Sequence, residues 1–262
     1  MSIKTYKDQL GREVVLPEIP KRIICLVPSI TELVSYFEMN DEVVGITKFC
    51  IYPSSWFQSK ERVGGTKNID IEKVKSLQPD LIIGNKEENT KEDIEALMDI
   101  APVWMSDVNS IEDSYDLISS LAEIFNKVDK GQKLIEDLKN YFLTHTSEGA
   151  GKSVLYFIWH APGFVAGKNT YIDSYLNAIG YQNYVSQDRY PEINTLESLK
   201  EQLKSPIVNE KIQWYLSFAM IKIFKHFLNT FKDSFPSLFK TGLTAFEIFN
   251  ITNPKRKSFY SI

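Results

Sequence analysis

Apolar and polar positions along this chain fall into blocks that switch between the strand period and the helix period. Residues 5–19 read as two extended pieces turned at Gln9-Leu10-Gly11, which predicts a short hairpin. The continuous apolar run Ile23 to Val27 predicts a buried strand ending at Pro28. Ser29-Ile30-Thr31-Glu32 then has the Ser-x-x-Glu spacing of a capping box, opening a helix with Leu33, Phe37 and Met39 on its apolar face. Strand signals recur at Val43–Ile46, Asp80–Gly84 and Pro102–Met105, and helical ones at Ile71–Leu77 and Lys91–Met98. Strands alternating with helices predict a mostly parallel, doubly wound sheet covered on both faces.

The pattern then changes. Ser110–Phe125 and Lys130–Thr146 are both helical in period, the second with Leu134, Leu138, Tyr141 and Phe142 on one stripe. A strand signal returns at Val154–Trp159, before a loop at His160–Gly167, a helix at Tyr171–Ile179, a turn at Gly180 and a helix near Thr195–Leu203. The expected architecture is α/β, with two doubly wound lobes joined by a long backbone helix. Residues 1–127 form the first lobe, 128–147 the connecting helix and 148–262 the second lobe. Beyond Ser205 the texture shifts again: nine of the 16 phenylalanines lie there and Gly242 is the only glycine. Residues 211–232 look helical, but strand-turn punctuation is missing. The second lobe is therefore expected to be incomplete or atypical after about residue 205, as a shifted reading frame or a diverged replacement would make it.

Composition bounds the function. With 43% apolar and 24% charged residues the chain is an ordinary globular one, and a net charge of −4 lacks the basic footprint of a general nucleic-acid binder. Its two cysteines do not make a disulfide framework, and Cys25, inside an apolar run, is expected to be a buried structural thiol. Met1–Asp8 has no apolar core or small-residue cleavage site, so the chain as it stands is expected to be cytoplasmic, or periplasmic or membrane-associated if the true start lies upstream.

Several motifs carry candidate chemistry beside simpler readings. Pro28–Glu32 sits where a strand passes into a helix, a place for ligands as well as for a plain cap. Gly64-Gly65-Thr66-Lys67-Asn68 permits close approach to a ligand or serves a tight turn; it is not a dinucleotide fingerprint. Gly149–Ser153 lacks the first glycine of a phosphate loop and precedes a strand. His160 with Cys50 and Tyr52 suggests a metal, yet neither segment has paired ligand spacing, so no metal site is assigned. Glu87-Glu88 reads as a carboxylate pair or a solvated helix start. No serine stands in a nucleophile-elbow context, and no catalytic residue is assigned.

As a set, certain segments resemble the class III periplasmic-binding-protein fold, the helical backbone metal receptors that include the vitamin B12- and iron-siderophore-binding components of ABC importers. The resemblance is carried by Asp8–Val14, Pro20–Ile24, Leu26–Leu33, Val43–Thr47, Tyr52-Pro53, Val63–Asn68, Leu77–Ile83, Phe164–Lys168 and Arg189–Pro191, spanning about residues 5–203. It implies two lobes with a ligand in the cleft between them. It places Ser29, Phe49, Cys50, Tyr52 and the Gly64-Gly65-Thr66 loop on the wall of the first lobe, and Trp159, Phe164 and Tyr190 on that of the second. Such aromatic walls suit a flat or large ligand. It also implies docking on a permease through one acidic residue per lobe: Glu72, and Glu197 beside the matching position Leu196. The cobalamin-binding members carry tryptophans where this chain has Thr66 and Asn85.

The resulting expectation is a monomeric, non-catalytic substrate-binding protein of ABC-importer type. It needs no cofactor of its own; its ligand is a corrinoid such as cobalamin, haem or an iron chelate, and nucleic acid is not a partner. The alternative is a cytosolic metal- or cofactor-dependent enzyme using Cys50, His160 and Glu87/Glu88.

Overall fold

The computed structural model describes residues 3–147, 149–150, 152–159 and 163–193. The expected helices near 195–203 and 211–232, with the segment after 205, lie outside the described residues. The chain falls into two compact units, 1–150 with 174–180, and 151–173 with 181–262.

The first unit opens with the expected hairpin, β1 (Ile3–Lys7) antiparallel to β2 (Glu13–Pro17). Asp8 builds the turn: its Oδ1 accepts from the backbone N–H groups of Leu10 and Arg12 at 3.0 and 2.8 Å. The sheet that follows contains β3 (Ile23–Cys25), β4 (Val43–Ile46), β5 (Glu61–Arg62), β8 (Leu81–Asn85) and β9 (Val103–Ser106), in the order β5-β4-β3-β8-β9 with every pair parallel. A small antiparallel ladder, β6 (Gly64–Gly65) with β7 (Asn68–Ile69), follows β5.

Strand alternation sends Ile24, Leu26, Ile82, Val103 and Met105 to one face, where they share a core with Val74 of α3 (Ile71–Ser76) and with Ile94 and Leu97 of α4 (Lys91–Met98). Ile23, Cys25, Leu81, Ile83 and Trp104 alternate with them and are also buried. On β3 packs α1 (Pro28–Tyr36); just after its end Phe37 meets Phe125, which follows α5 (Ile111–Ile124), edge to face at 6.0 Å. Burial on both faces is why these strands read as unbroken apolar runs. Side-chain caps fix three helix starts: Asp70 for α3, Thr90 for α4, and the Ser110/Asp113 capping box for α5.

The helix expected over 128–147 forms as α6 (Val128–His145), and it belongs to the first unit, packed along α5. Gly131 allows this approach, since a Cβ there would lie 2.5 Å from that of Ala122. In addition, α2 (Ser54–Ser59) was not visible in the pattern; it holds one buried residue, Trp56, whose indole N–H donates to Asn40 Oδ1 at 2.9 Å.

The second unit splits the expected strand 154–159 into β10 (Ser153–Val154), parallel to β13 (Gln182–Asn183), and β11 (Phe157–Trp159). The expected loop 160–167 contains β12 (Gly163–Val165), which lies between β11 and β14 (Glu192–Ile193) in an antiparallel sheet. Three-residue strands of this kind are set by their partners across the sheet, which a local period does not reveal. The expected helix appears as α7 (Tyr171–Ala178), passing into the first unit at Ser174.

Candidate functional site

Because all five strands of the main sheet run parallel, their C-terminal ends share one edge, the place where open α/β sheets gather ligands. Three chain segments leave that edge close together: Leu26 into α1, Thr47 to Tyr52 after β4, and Asn85 onward after β8.

The first segment corrects the expected cap. Pro28, not Ser29, opens α1; Val27 is the extended N-cap residue, and no side chain caps the helix. Proline favours the first helical position because its φ is preset and its missing N–H is not needed there. Ser29 therefore lies inside the first turn, exposed, and the Ser29–Glu32 capping box does not form.

The second segment is anchored from below. Cys50 is fully buried, and its Sγ lies 3.1 Å from the hydroxyls of both Thr31 and Thr47, themselves buried. Burial pushes the Cys50 thiol up from its ordinary value despite these hydroxyls. Cys50 thus fastens the loop to α1 from beneath the surface and is neither a reactive thiolate nor a surface contact. Cys25 is buried likewise, as expected.

Fixed in this way, the loop presents Phe49, which is 49% exposed. Lys48 Nζ stands 5.3 Å from the centre of its ring. Both side chains rest on Gly65, where a Cβ would come within 3.2 Å of Phe49 Cε2 and 3.3 Å of Lys48 Cε. Gly64 turns the chain with φ +95°, and its carbonyl accepts from Lys48 N–H at 2.8 Å. Thr66 is buried, with its carbonyl held by Asn89 Nδ2 at 2.8 Å. Asn89 Oδ1 in turn accepts from Asn85 N–H at 2.8 Å, tying the glycine loop to the end of β8. Asn89 was not singled out from the sequence, where an asparagine after a strand reads as loop.

Glu32 was also missed as a site residue, its spacing having been absorbed by the presumed cap. It is half-buried in the second turn of α1, and burial pushes its carboxyl up to about 7. Its charge acts on Cys50 and on half-buried Tyr52, whose phenol is raised by burial first and by Glu32 second.

In the second unit, the two segments that carry the resemblance lie side by side. Val165 N–H donates to Pro191 O at 3.2 Å, Gly167 N–H to Arg189 O at 2.7 Å and Lys168 N–H to Gln187 O at 2.8 Å. Phe164 pairs with Glu192 in this ladder, and the side chains of Phe164 and Tyr190 are half-buried. Trp159 closes β11 opposite Phe164. Asn183 braces the ladder from behind, donating to Ala166 O at 3.1 Å and to Asp173 Oδ1 at 2.9 Å.

Glu72 is exposed in the first turn of α3, and Glu197 lies outside the described residues. Glu87 and Glu88 are exposed, with their backbone N–H groups donating to Asn85 Oδ1 at 2.9 and 3.1 Å. His160 lies outside the described residues. Among the described residues no group of three or more His, Cys, Asp or Glu side chains could hold a metal ion, and no helix is long and apolar enough to cross a membrane.

Comparison with known proteins fits this geometry. An uncharacterized ABC transporter substrate-binding lipoprotein of Bacillus subtilis, YvrC, is 28% identical over 190 residues, 68% of this chain and 60% of that protein. The match therefore spans less than two thirds of that relative's length. A vitamin B12-binding protein of Pectobacterium carotovorum is 24% identical over 198 residues, covering 72% of this chain and 71% of the relative. The structure of the siderophore-binding protein BauB, bound to two acinetobactin molecules and ferric iron, matches with a TM-score of 0.65. It is 18% identical, covering 77% of this chain and 73% of that one, a likeness of fold. These relatives support neither a cytoplasmic location nor the enzymatic alternative built on Cys50, His160 and Glu87/Glu88. Residues 23–208 match the family described as Periplasmic binding protein, and this chain belongs to that family.

Proposed function

We propose that this chain is the substrate-binding component of an ABC-type importer and works without catalysis on the outer side of a membrane. Its ligand is a large molecule with a flat or apolar face, a corrinoid or an iron chelate such as haem or a ferric siderophore. The observation that carries this reading is Phe49, a half-exposed aromatic ring propped on Gly65 at the C-terminal edge of the parallel sheet. An exposed ring held in place from below offers a large contact area with little entropy left to lose on binding.

Tyr52, Ser29 and the Gly64–Thr66 loop complete the contacts proposed for the first unit, with Trp159, Phe164 and Tyr190 those proposed for the second. Cys50 enters only as the anchor of the loop, because its sulfur is buried. Exposed Glu72 is the proposed docking residue for the permease, with Glu197 its counterpart. The names of the relatives support both ligand types and do not choose between them. Thr66 and Asn85, which stand where the cobalamin-binding members carry tryptophan, favour a chelate over cobalamin. Isothermal titration against cyanocobalamin, haemin and a ferric siderophore tests the reading. A one-site isotherm with one of them is expected, and silence from folded protein across all three overturns it.

A further inference from the structure

Lys48 and Phe49 share one seat. The loop after β4 lays both side chains on Gly65, which is buried although the two residues that cover it are exposed. A Cβ on Gly65 would come within 3.3 Å of Lys48 Cε and 3.2 Å of Phe49 Cε2, so the glycine is what lets the lysine stem lie beside the ring. Lys48 N–H is held by Gly64 O at 2.8 Å, and its ammonium nitrogen ends 5.3 Å from the centre of the Phe49 ring. The fold thus positions this cation, yet among the described residues Lys48 forms no ion pair. At the same edge Lys86, after β8, is neutralised by Asp107 Oδ2 at 2.5 Å. The second unit repeats the arrangement. The Arg189 guanidinium lies 5.4 Å from the centre of the half-buried Tyr190 ring. Its backbone is held at φ +62°, a conformation that residues other than glycine seldom take, by bonds from Arg189 N–H to Lys168 O and from Gly167 N–H to Arg189 O. Each unit therefore carries a cation beside an aromatic ring proposed to face the ligand.

We propose that the ligand is an acidic iron chelate and that Lys48 is a specificity-determining residue, its ammonium pairing with a carboxylate on the rim of a ligand seated on the Phe49 ring. This proposal rests on the ligand-binding reading above. The carboxylate is a propionate of haem or a free carboxylate of a siderophore; both present the same charge and the same acceptor oxygens. An aromatic ring supplies area and little discrimination, whereas a lysine beside it selects by charge, favouring one class of ligand and penalising another. A bound ligand covers the lysine and excludes water. That strengthens its attraction to a carboxylate, and it leaves the ammonium desolvated and unpaired under a ligand that has none. Cyanocobalamin, whose rim carries amides, is disfavoured by the same contact that favours an acidic chelate.

The test is titration, followed by absorbance, with two pairs of probes and cyanocobalamin alongside. Haemin is set against its dimethyl ester, in which the carboxylates are capped, and a ferric siderophore bearing free carboxylates against a neutral ferric hydroxamate. Wild type, Lys48→Met, Lys48→Arg and Phe49→Ala are compared, each shown to unfold cooperatively. One acidic probe is expected to bind wild type about fivefold or more tightly than its neutral counterpart, the worth of one ion pair at a partly covered site. Lys48→Met should lose that preference while keeping the wild-type affinity for the neutral probe, and Lys48→Arg should restore it. Which acidic probe shows the pattern identifies the source of the carboxylate. Equal affinity of wild type for the acidic and neutral members of a pair, an undiminished preference in Lys48→Met, or binding of cyanocobalamin in place of both acidic probes overturns the proposal alone. Silence of every probe with folded wild type, or full affinity in Phe49→Ala, overturns it together with the reading on which it rests.

Discussion

The side-chain amide of Asn89 donates to the carbonyl of Thr66 at 2.8 Å, out of contact with water, and so fixes the glycine loop to the end of β8. The same asparagine accepts from Asn85 N–H, so one side chain satisfies two backbone groups on two segments of the site edge. Replacing Asn89 with leucine leaves both groups without a partner. The expected cost is about 2–4 kcal/mol, from about 1–2 for each orphaned group, read as a lowered midpoint in urea unfolding.

The two glycines of that loop should respond differently. At Gly64 a Cβ would collide with the Asn68 carbonyl in a backbone already at φ +95°, so Gly64→Ala should lower stability. At Gly65 the new methyl group would push against the Phe49 ring and the Lys48 stem, both exposed side chains rather than backbone. Gly65→Ala should therefore keep the fold and weaken ligand binding by about threefold to tenfold, the effect of shifting one aromatic contact. Thermal unfolding and ligand titration of the two variants separate these effects.

A charged pair ties the hairpin to the main sheet, beside the bond from Gln9 N–H to Met105 O at 3.1 Å. Arg12 Nη2 meets Asp8 Oδ2 at 2.7 Å and also donates to Val103 O at 3.0 Å, while the Asp8 side chain is fully buried. Asp8→Ala removes the partner of a half-buried guanidinium and two hydrogen bonds of the turn. A loss of about 3 kcal/mol or more is expected in denaturant unfolding.

How much of this was legible follows from where the causes lie. Ile23–Cys25 and Leu81–Ile83 were readable as strands because burial on both faces leaves a continuous apolar run. Ser110 was readable as a helix start because its capping box forms. Ser29 carries the same local spacing, and there Pro28 sets the start instead, an outcome that spacing alone does not decide. The exposed ring of Phe49 came into view only through a family resemblance, since it has no periodic signature, whereas the Gly64-Gly65 pair by itself marked a place of close approach or a tight turn. Cys50 was placed on the wall by that same resemblance, whereas two threonine hydroxyls from different segments hold it beneath. Asn89 was invisible because its role depends on what lies across space from it.

Glu32 also sets a pH dependence of stability. Its carboxyl titrates near 7 in the folded chain against an ordinary value of 4.5, so the folded state binds this proton more tightly than the unfolded state does. The stability it contributes is complete below about pH 4.5 and is lost as the pH rises through about 7. Urea midpoints of wild type should decline across that window more than those of Glu32→Gln, and at about pH 8 the variant should be the more stable of the two.

Cys25 and Cys50 are both fully buried, with thiols raised by burial above the ordinary 9.0. Neither should react with iodoacetamide in the native protein at neutral pH, and both should react once the chain is unfolded. Mass spectrometry of the labelled protein reads the result directly.

The central claim is that a ligand rests on the Phe49 ring at the edge of the first unit's sheet. The most direct measurement is isothermal titration of wild type and Phe49→Ala with whichever of cyanocobalamin, haemin or ferric siderophore the wild type takes. The account predicts one site in the wild type and an affinity about tenfold or more weaker in the variant, with unfolding midpoints little changed because the ring is half-exposed. Equal affinity in the two proteins, or no binding by folded wild type, would contradict it.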